Sequence, residues 1–322
     1  MKKTTISIVL VLAVVAVGYY FLSFTAVPQP RLPGVLLHSE TTWDGYPRRY
    51  DYYVPKRLST RPPLVFVFHG SMGDASQSRA MFGYGFEYLA EEHGFIVVYP
   101  EGYASHFNGC RAGGPYEANR LDIDDVGFMR NLVDSFDREY GIDRGRVFAT
   151  GVSNGGQMAL RLALEAPDLV TAVAPVATSM PAQDNMGCIP SGQPVAFLLM
   201  NGTDDPMNPY EGGKVALYGL VGDRGDVLST AASTAYWADL AGYSAPPERS
   251  ELPDTVASDG SSIEVEAWRA PGRKPVALYR VVGGGHTVPH PQLRAPRLIG
   301  NTNQDVVAAE VIWAFFARAA AE

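Results

Sequence analysis

The stretch Gly151-Val152-Ser153-Asn154-Gly155-Gly156 lies between an apolar β-rich run, Arg146-Val147-Phe148-Ala149-Thr150, and a segment from Gln157 to Glu165 with helical apolar spacing. A strand that enters a helix through Gly-x-Ser-x-Gly is under strict steric limits. Glycines at 151 and 155 remove side-chain bulk on either side of Ser153, so the turn can be tight enough to lift Oγ clear of a sheet. This reads as a nucleophile elbow, with Ser153 as the candidate nucleophile. The five-residue pattern also occurs in ordinary Gly-rich βα turns, so the rest of the chain must supply its context.

That context is an alternation of strands and helices. Val35 to Thr41 and Tyr50 to Val54, joined through Asp44-Gly45, form an antiparallel lead-in hairpin. Pro63 to His69 and Phe95 to Tyr99 are continuous apolar runs, as expected of strands buried on both faces. A helix is expected from Gln77 to Glu92, and another from Asp124 or Asp125, read as helix-start residues, to Tyr140. Further strands are expected at Leu169 to Val176, Val195 to Met200 and Val276 to Val282, with helices at Leu228 to Ala241 and Val306 to Ala319. The fold class is therefore α/β: a mostly parallel central sheet with helices on both faces and antiparallel lead-in strands. Trp237, Trp268 and Trp313 are assigned to the core.

With 322 residues, 46% of them hydrophobic, the chain can bury one large core, and no internal repeat suggests a second. A net charge of -8, with no Lys/Arg cluster beyond Lys2 and Lys3, argues against nucleic acid as a partner. Those lysines precede an uncharged run from Ile6 to Phe24 that is about long enough to cross a bilayer. Residues 1-26 are thus expected to be an N-terminal membrane anchor or signal peptide. The bulky Phe24 beside the available cleavage positions favours an anchor on the cytoplasmic membrane with the body facing outward; cleavage would leave the body secreted or periplasmic. Membrane contact is expected only through this segment. Residues 27-34 form a Pro-rich linker, and 35-322 the catalytic domain.

A serine nucleophile needs a base, an orienting acid and donors for an oxyanion, all beyond the carboxyl ends of strands. His286, in Gly283-Gly284-Gly285-His286-Thr287 after the last strand, is the candidate base. His69 is its rival, and is read as bracing the loop that follows it. Asp204 and Asp205 both follow the strand ending at Asn201, and position alone does not separate them. The oxyanion donors are the backbone N–H of Asn154 and, in the loop after Phe68, that of Ser71. No metal is expected, since Pro289 opposes the helix that would bring His286 and His290 to one face. No cofactor is required.

Together these segments resemble the secreted esterases that group polyhydroxybutyrate depolymerases with feruloyl and acetylxylan esterases, within the α/β-hydrolase fold. The resemblance rests on His69-Gly70, Asp124 to Phe128, Tyr140 to Asp143, Gly151 to Gly156, Asn201 to Pro206, Pro209 to Gly213 and Gly283 to Thr287. It implies a serine ester hydrolase acting through an acyl-enzyme, with an oligomeric hydroxyalkanoate or a plant cell-wall ester as substrate. Alternatives are an acetylxylan-type carbohydrate esterase, a peptidase or a non-catalytic binding module. The resemblance also selects Asp205, which directly precedes the proline of its turn, supports Ser153 and His286, and points to Ser71. The chain departs from the family at Val288-Pro289-His290, where tryptophan and proline usually follow His-Thr. Val288, with Tyr210 and Glu211, is assigned to the substrate pocket. Cys110 and Cys188 lie in loops on the active-site side, and in an exported body they are expected to form a disulfide.

Overall fold

A computed structural model describes residues 15–321. The expected anchor or signal peptide lies in large part outside the described residues. Of it, residues 15–22 are helical, and among the described residues no helix is long and apolar enough to cross a membrane. Thr25 exchanges two backbone hydrogen bonds with Arg294, at 2.8 and 3.0 Å, so the segment before the linker touches the body.

The hairpin β1 (Val35–Trp43) and β2 (Tyr46–Val54) leads in as expected. It is followed by β3 (Leu64–Phe68), α1 (Ala75–Met81), α2 (Gly85–His93), β4 (Ile96–Pro100), the short α3 (Glu117–Arg120) and α4 (Asp125–Tyr140). The chain continues through β5 (Val147–Val152), α5 (Asn154–Glu165), β6 (Ala172–Val176) and β7 (Ala196–Gly202). A two-stranded ribbon, β8 (Gly213–Lys214) with β9 (Asp226–Val227), precedes α6 (Thr230–Leu240), β10 (Glu248–Glu251), β11 (Ser262–Trp268), β12 (Val276–Val282) and α7 (Ala308–Ala319).

Ten strands form one sheet in the order β1-β2-β4-β3-β5-β6-β7-β12-β11-β10. The six from β4 to β12 are mutually parallel, and an antiparallel pair closes each side. The middle strands are buried at nearly every position because helices cover both faces, with Thr150, Asn201 and Arg280 the polar residues in β5, β7 and β12. Leu64, Phe66 and Phe68 of β3 enter a core shared with α4, α5 and α6, whereas Val65 and Val67 enter one shared with α1, α2 and α7. Each such side chain, fully buried, contributes about 1.5–3 kcal/mol.

Three differences from the sequence expectation have physical causes. The single helix expected over Gln77 to Glu92 is broken at 82–84, where Gly83 and Tyr84 both have a left-handed φ of 58°. Gly83 packs against the His290 ring so closely that a Cβ would stand 2.3 Å from Nε2. The break folds α2 back so that Arg79 and Glu87 form a buried ion pair, Nε to Oε1 2.5 Å. Second, two antiparallel strands, β10 and β11, were not anticipated. Third, Trp237 is buried as expected, but Trp268 and Trp313 are only partly buried against the core.

Candidate active site

β5 delivers the chain to Ser153 and α5 leaves directly after it. Ser153 has φ 56° and ψ -112°, a conformation that costs a non-glycine residue about 1–3 kcal/mol and persists only where its surroundings enforce it. The enforcement is visible at its neighbours. A Cβ on Gly151 would lie 2.7 Å from the Gly155 carbonyl carbon, and one on Gly155 would lie 2.5 Å from both Phe68 O and His69 O. The elbow is thus pressed against the end of β3. The loop leaving β3 passes beside the serine: a Cβ on Gly70 would stand 4.0 Å from Ser153 Cβ.

That loop is held by His69, which is fully buried. Its Nε2 accepts from Gly102 N at 2.9 Å and its Nδ1 lies 2.7 Å from Gly70 O, so Nδ1–H donates and the ring is neutral. Burial pushes its pKa down to about 4. The Met72 and Gly73 amides donate to Ser105 O and Gly70 O. The amides of Ser71 and Asn154 have no acceptor among the described residues. The Asn154 side chain clamps the next loop, accepting from Phe107 N at 2.8 Å and donating to Phe107 O at 3.0 Å.

Two neighbouring strands, β7 and β12, bring Asp205 and His286 together. Asp205 Oδ2 lies 2.7 Å from His286 Nδ1, and Oδ1 accepts from Met207 N at 2.7 Å and Asn208 N at 2.8 Å. The Asp205 side chain is 1% exposed and that of His286 10%. Asp204 is exposed instead, its carboxylate accepting, among the described residues, only from Thr203 Oγ1 at 3.0 Å. The triple glycine has a steric reason: a Cβ on Gly285 would lie 2.2 Å from Ile299 O, next to the His286 N–H to Ile299 O bond of 2.7 Å.

Tyr210 sits under the Arg280 guanidinium, 5.5 Å from its ring centroid, and Glu211 is exposed on the adjoining turn. Val288 is 3% exposed and packs in the core shared with α7, which leaves little of it to line an open pocket. Cys110 and Cys188 form a disulfide. Asp124 caps α4 by accepting from Gly127 N, as a helix-start residue should. Asp125 does more than begin a helix, since it is fully buried in an ion pair with Arg48 and accepts from Asn108 N at 2.7 Å. Sequence reading also passed over Arg224, whose Nε donates to Tyr116 OH at 2.6 Å, while that hydroxyl lies 3.0 Å from Ser71 Oγ.

A strained serine between strand and helix of a mostly parallel sheet, with Asp and His following two strands that are neighbours in that sheet, defines an α/β-hydrolase. The family model described as esterase PHB depolymerase matches residues 49–183. Over 255 residues the chain is 32% identical to the putative esterase NocK of Nocardia uniformis subsp. tsuyamanensis, covering 77% of this chain and 72% of that protein. Feruloyl esterase B of Piromyces equi is 27% identical over 70% of this chain, which spans only 39% of that enzyme. Among solved structures, the acetyl xylan esterase from Aspergillus awamori matches with a TM-score of 0.54 and 19% identity, over 79% of this chain and 95% of its own. The chain belongs to this esterase family and is a carboxylic ester hydrolase.

Proposed function

We propose that Ser153, His286 and Asp205 are the catalytic triad of a serine esterase, with the backbone N–H groups of Ser71 and Asn154 as oxyanion donors. The observation that carries this reading is the 2.7 Å bond between Asp205 and His286. With Nδ1–H donated to the carboxylate, Nε2 keeps its lone pair and is the proton acceptor. Ser153 Oγ attacks the ester carbonyl carbon while its proton passes to Nε2. The carbonyl oxygen, now negative, is held by the two amides, each such donor contributing about 3–4 kcal/mol. Collapse expels the alcohol, which takes the proton from His286. Water then attacks the acyl-enzyme with His286 again as base, releasing the acid and restoring Ser153.

Residues 35–322 act in this reading as one catalytic domain outside the cytoplasm, with the run within residues 1–26 as the targeting and anchoring segment. The disulfide supports that compartment. The substrate is an ester of a hydroxyalkanoate oligomer or of the plant cell wall, in keeping with the names of the relatives. Ser153→Ala should abolish hydrolysis of 4-nitrophenyl acetate and labelling by a fluorophosphonate probe. Asp205→Asn should lower kcat by about 10³–10⁴, by analogy with the loss when a triad aspartate becomes asparagine, and Asp204→Asn by less than about tenfold. Probe labelling that survives in Ser153→Ala, or a larger loss at Asp204 than at Asp205, would refute these roles.

A further inference from the structure

Arg111 follows Cys110 in the loop after β4 and is 4% exposed. Its side-chain nitrogens have no hydrogen-bond or ion-pair partner among the described residues, yet none is sealed from solvent. That combination sets it apart. The other deeply buried arginines each meet a carboxylate, Arg48 with Asp125 and Arg79 with Glu87, as desolvated charges must. Near Arg111 stand the phenol of Tyr116 and a second cation, Arg224. Even with burial lowering its pKa to about 10, Arg111 is cationic at neutral pH. Arg224 Nη1 donates to Gly222 O at 2.7 Å, and neither guanidinium meets a carboxylate among the described residues.

Arg224 is tied to the candidate oxyanion loop through Tyr116. Arg224 Nε donates to Tyr116 OH at 2.6 Å, and Tyr116 OH lies 3.0 Å from Ser71 Oγ. Tyr116 OH accepts from Arg224, and in its contact with Ser71 Oγ either hydroxyl can donate. Ser71 follows Gly70, whose Cβ position is 4.0 Å from Ser153 Cβ. Arg111 is fixed by the Cys110–Cys188 bond, by a β-bridge to Met186 and by Asn119 Nδ2 donating to its carbonyl at 3.2 Å.

We propose that Arg111 and Arg224 form a carboxylate-binding subsite, so that the preferred substrates are esters with a free carboxylate in their acyl or alcohol half. A carboxylate fits because its two oxygens accept from the planar guanidinium fork. An oligomer of a hydroxy acid presents such a group at its free acid end, which would direct cleavage toward that end. The assignment rests on the ester-hydrolase reading above.

Two matched pairs test it. Mono-4-nitrophenyl glutarate against its methyl ester places the carboxylate in the acyl half; 4-acetoxybenzoate against its methyl ester places it in the alcohol half. The wild-type protein should favour the anionic member of one pair by tenfold or more in kcat/KM, the pair naming the half. Arg111→Gln should lower that ratio at least tenfold. Arg224→Gln, at a half-buried position, should lower it several-fold and carries the test should thermal melting show Arg111→Gln unfolded. Equal kcat/KM within both pairs, or a preference that the folded variants keep, overturns the subsite and leaves the esterase intact. Failure to hydrolyse any of the four esters overturns both.

Discussion

His69 and His286 are one residue type with opposite surroundings. In His286 one nitrogen is engaged by Asp205, whereas in His69 both are spent on the backbone of Gly70 and Gly102. His69 therefore stays neutral in the fold, with burial holding its pKa down at about 4, against about 6.5 in the unfolded chain. Between these values the unfolded state binds the extra proton, so stability is intact above about pH 6.5 and falls as the pH drops toward 4. The full loss is about 3 kcal/mol at 1.36 kcal/mol per unit. Urea unfolding at pH 7, 5.5 and 4.5 should show His69→Gln less stable at pH 7 but with a shallower acid slope. His106 and His290 are also lowered by burial and titrate in both proteins, so the difference isolates His69. Identical slopes would mean that His69 is not buried neutral. Neighbouring aspartates at 204 and 205 show what single positions withhold: both follow β7, and the direction of each carboxylate is decided by the turn at Pro206 and by a strand about 80 residues away.

At the scale of elements, the elbow works because β3, β5 and α5 meet without side chains between them. Gly155→Ala places a methyl group 2.5 Å from two carbonyl oxygens of the β3 end, so strand or helix must move. Gly141, which ends α4 with φ 62°, has open space around its Cβ position, and alanine there meets only the left-handed backbone penalty of about 1–2 kcal/mol. Gly155→Ala should therefore lose more stability, on the order of 2–3 kcal/mol, and most of kcat/KM for an aryl ester, whereas Gly141→Ala should keep its activity. Urea midpoints and turnover of the two variants check the contrast. The strands that build this junction were legible, since β3 and β4 are unbroken apolar runs and β5 and β12 are interrupted only near Thr150 and at Arg280. β11 carried its own signal, Ile263, Val265 and Ala267 inward between Ser262, Glu264 and Glu266, but alternation stands out less than a continuous run. The split between α1 and α2 was not legible because its cause, the His290 ring against Gly83, lies some 200 residues downstream.

Across the whole molecule, the longest reaches were the least readable. Chain order placed Ser153, Asp205 and His286 on one rim, and the cysteines there too, but nothing local marks Arg48 as the partner of Asp125 or Arg224 as the partner of Tyr116, 108 positions away. The disulfide, with a sequence separation of 78, closes a loop whose removal from the unfolded ensemble contributes about 4–5 kcal/mol in the chain-entropy account. The double variant Cys110→Ser, Cys188→Ser should lose stability of that order in chemical denaturation, and a loss under about 1 kcal/mol would show that folded contacts already hold both loops.

An open sheet must also end somewhere. At one end stands β10, Glu248-Arg249-Ser250-Glu251, every residue of which is exposed. Three of its four side chains are charged, with Arg249 reaching across to Glu266 of β11 at 3.0 Å. Another chain seeking to extend the ladder would have to strip water from those charges, so this border discourages the edge-to-edge stacking by which exposed strands seed aggregates.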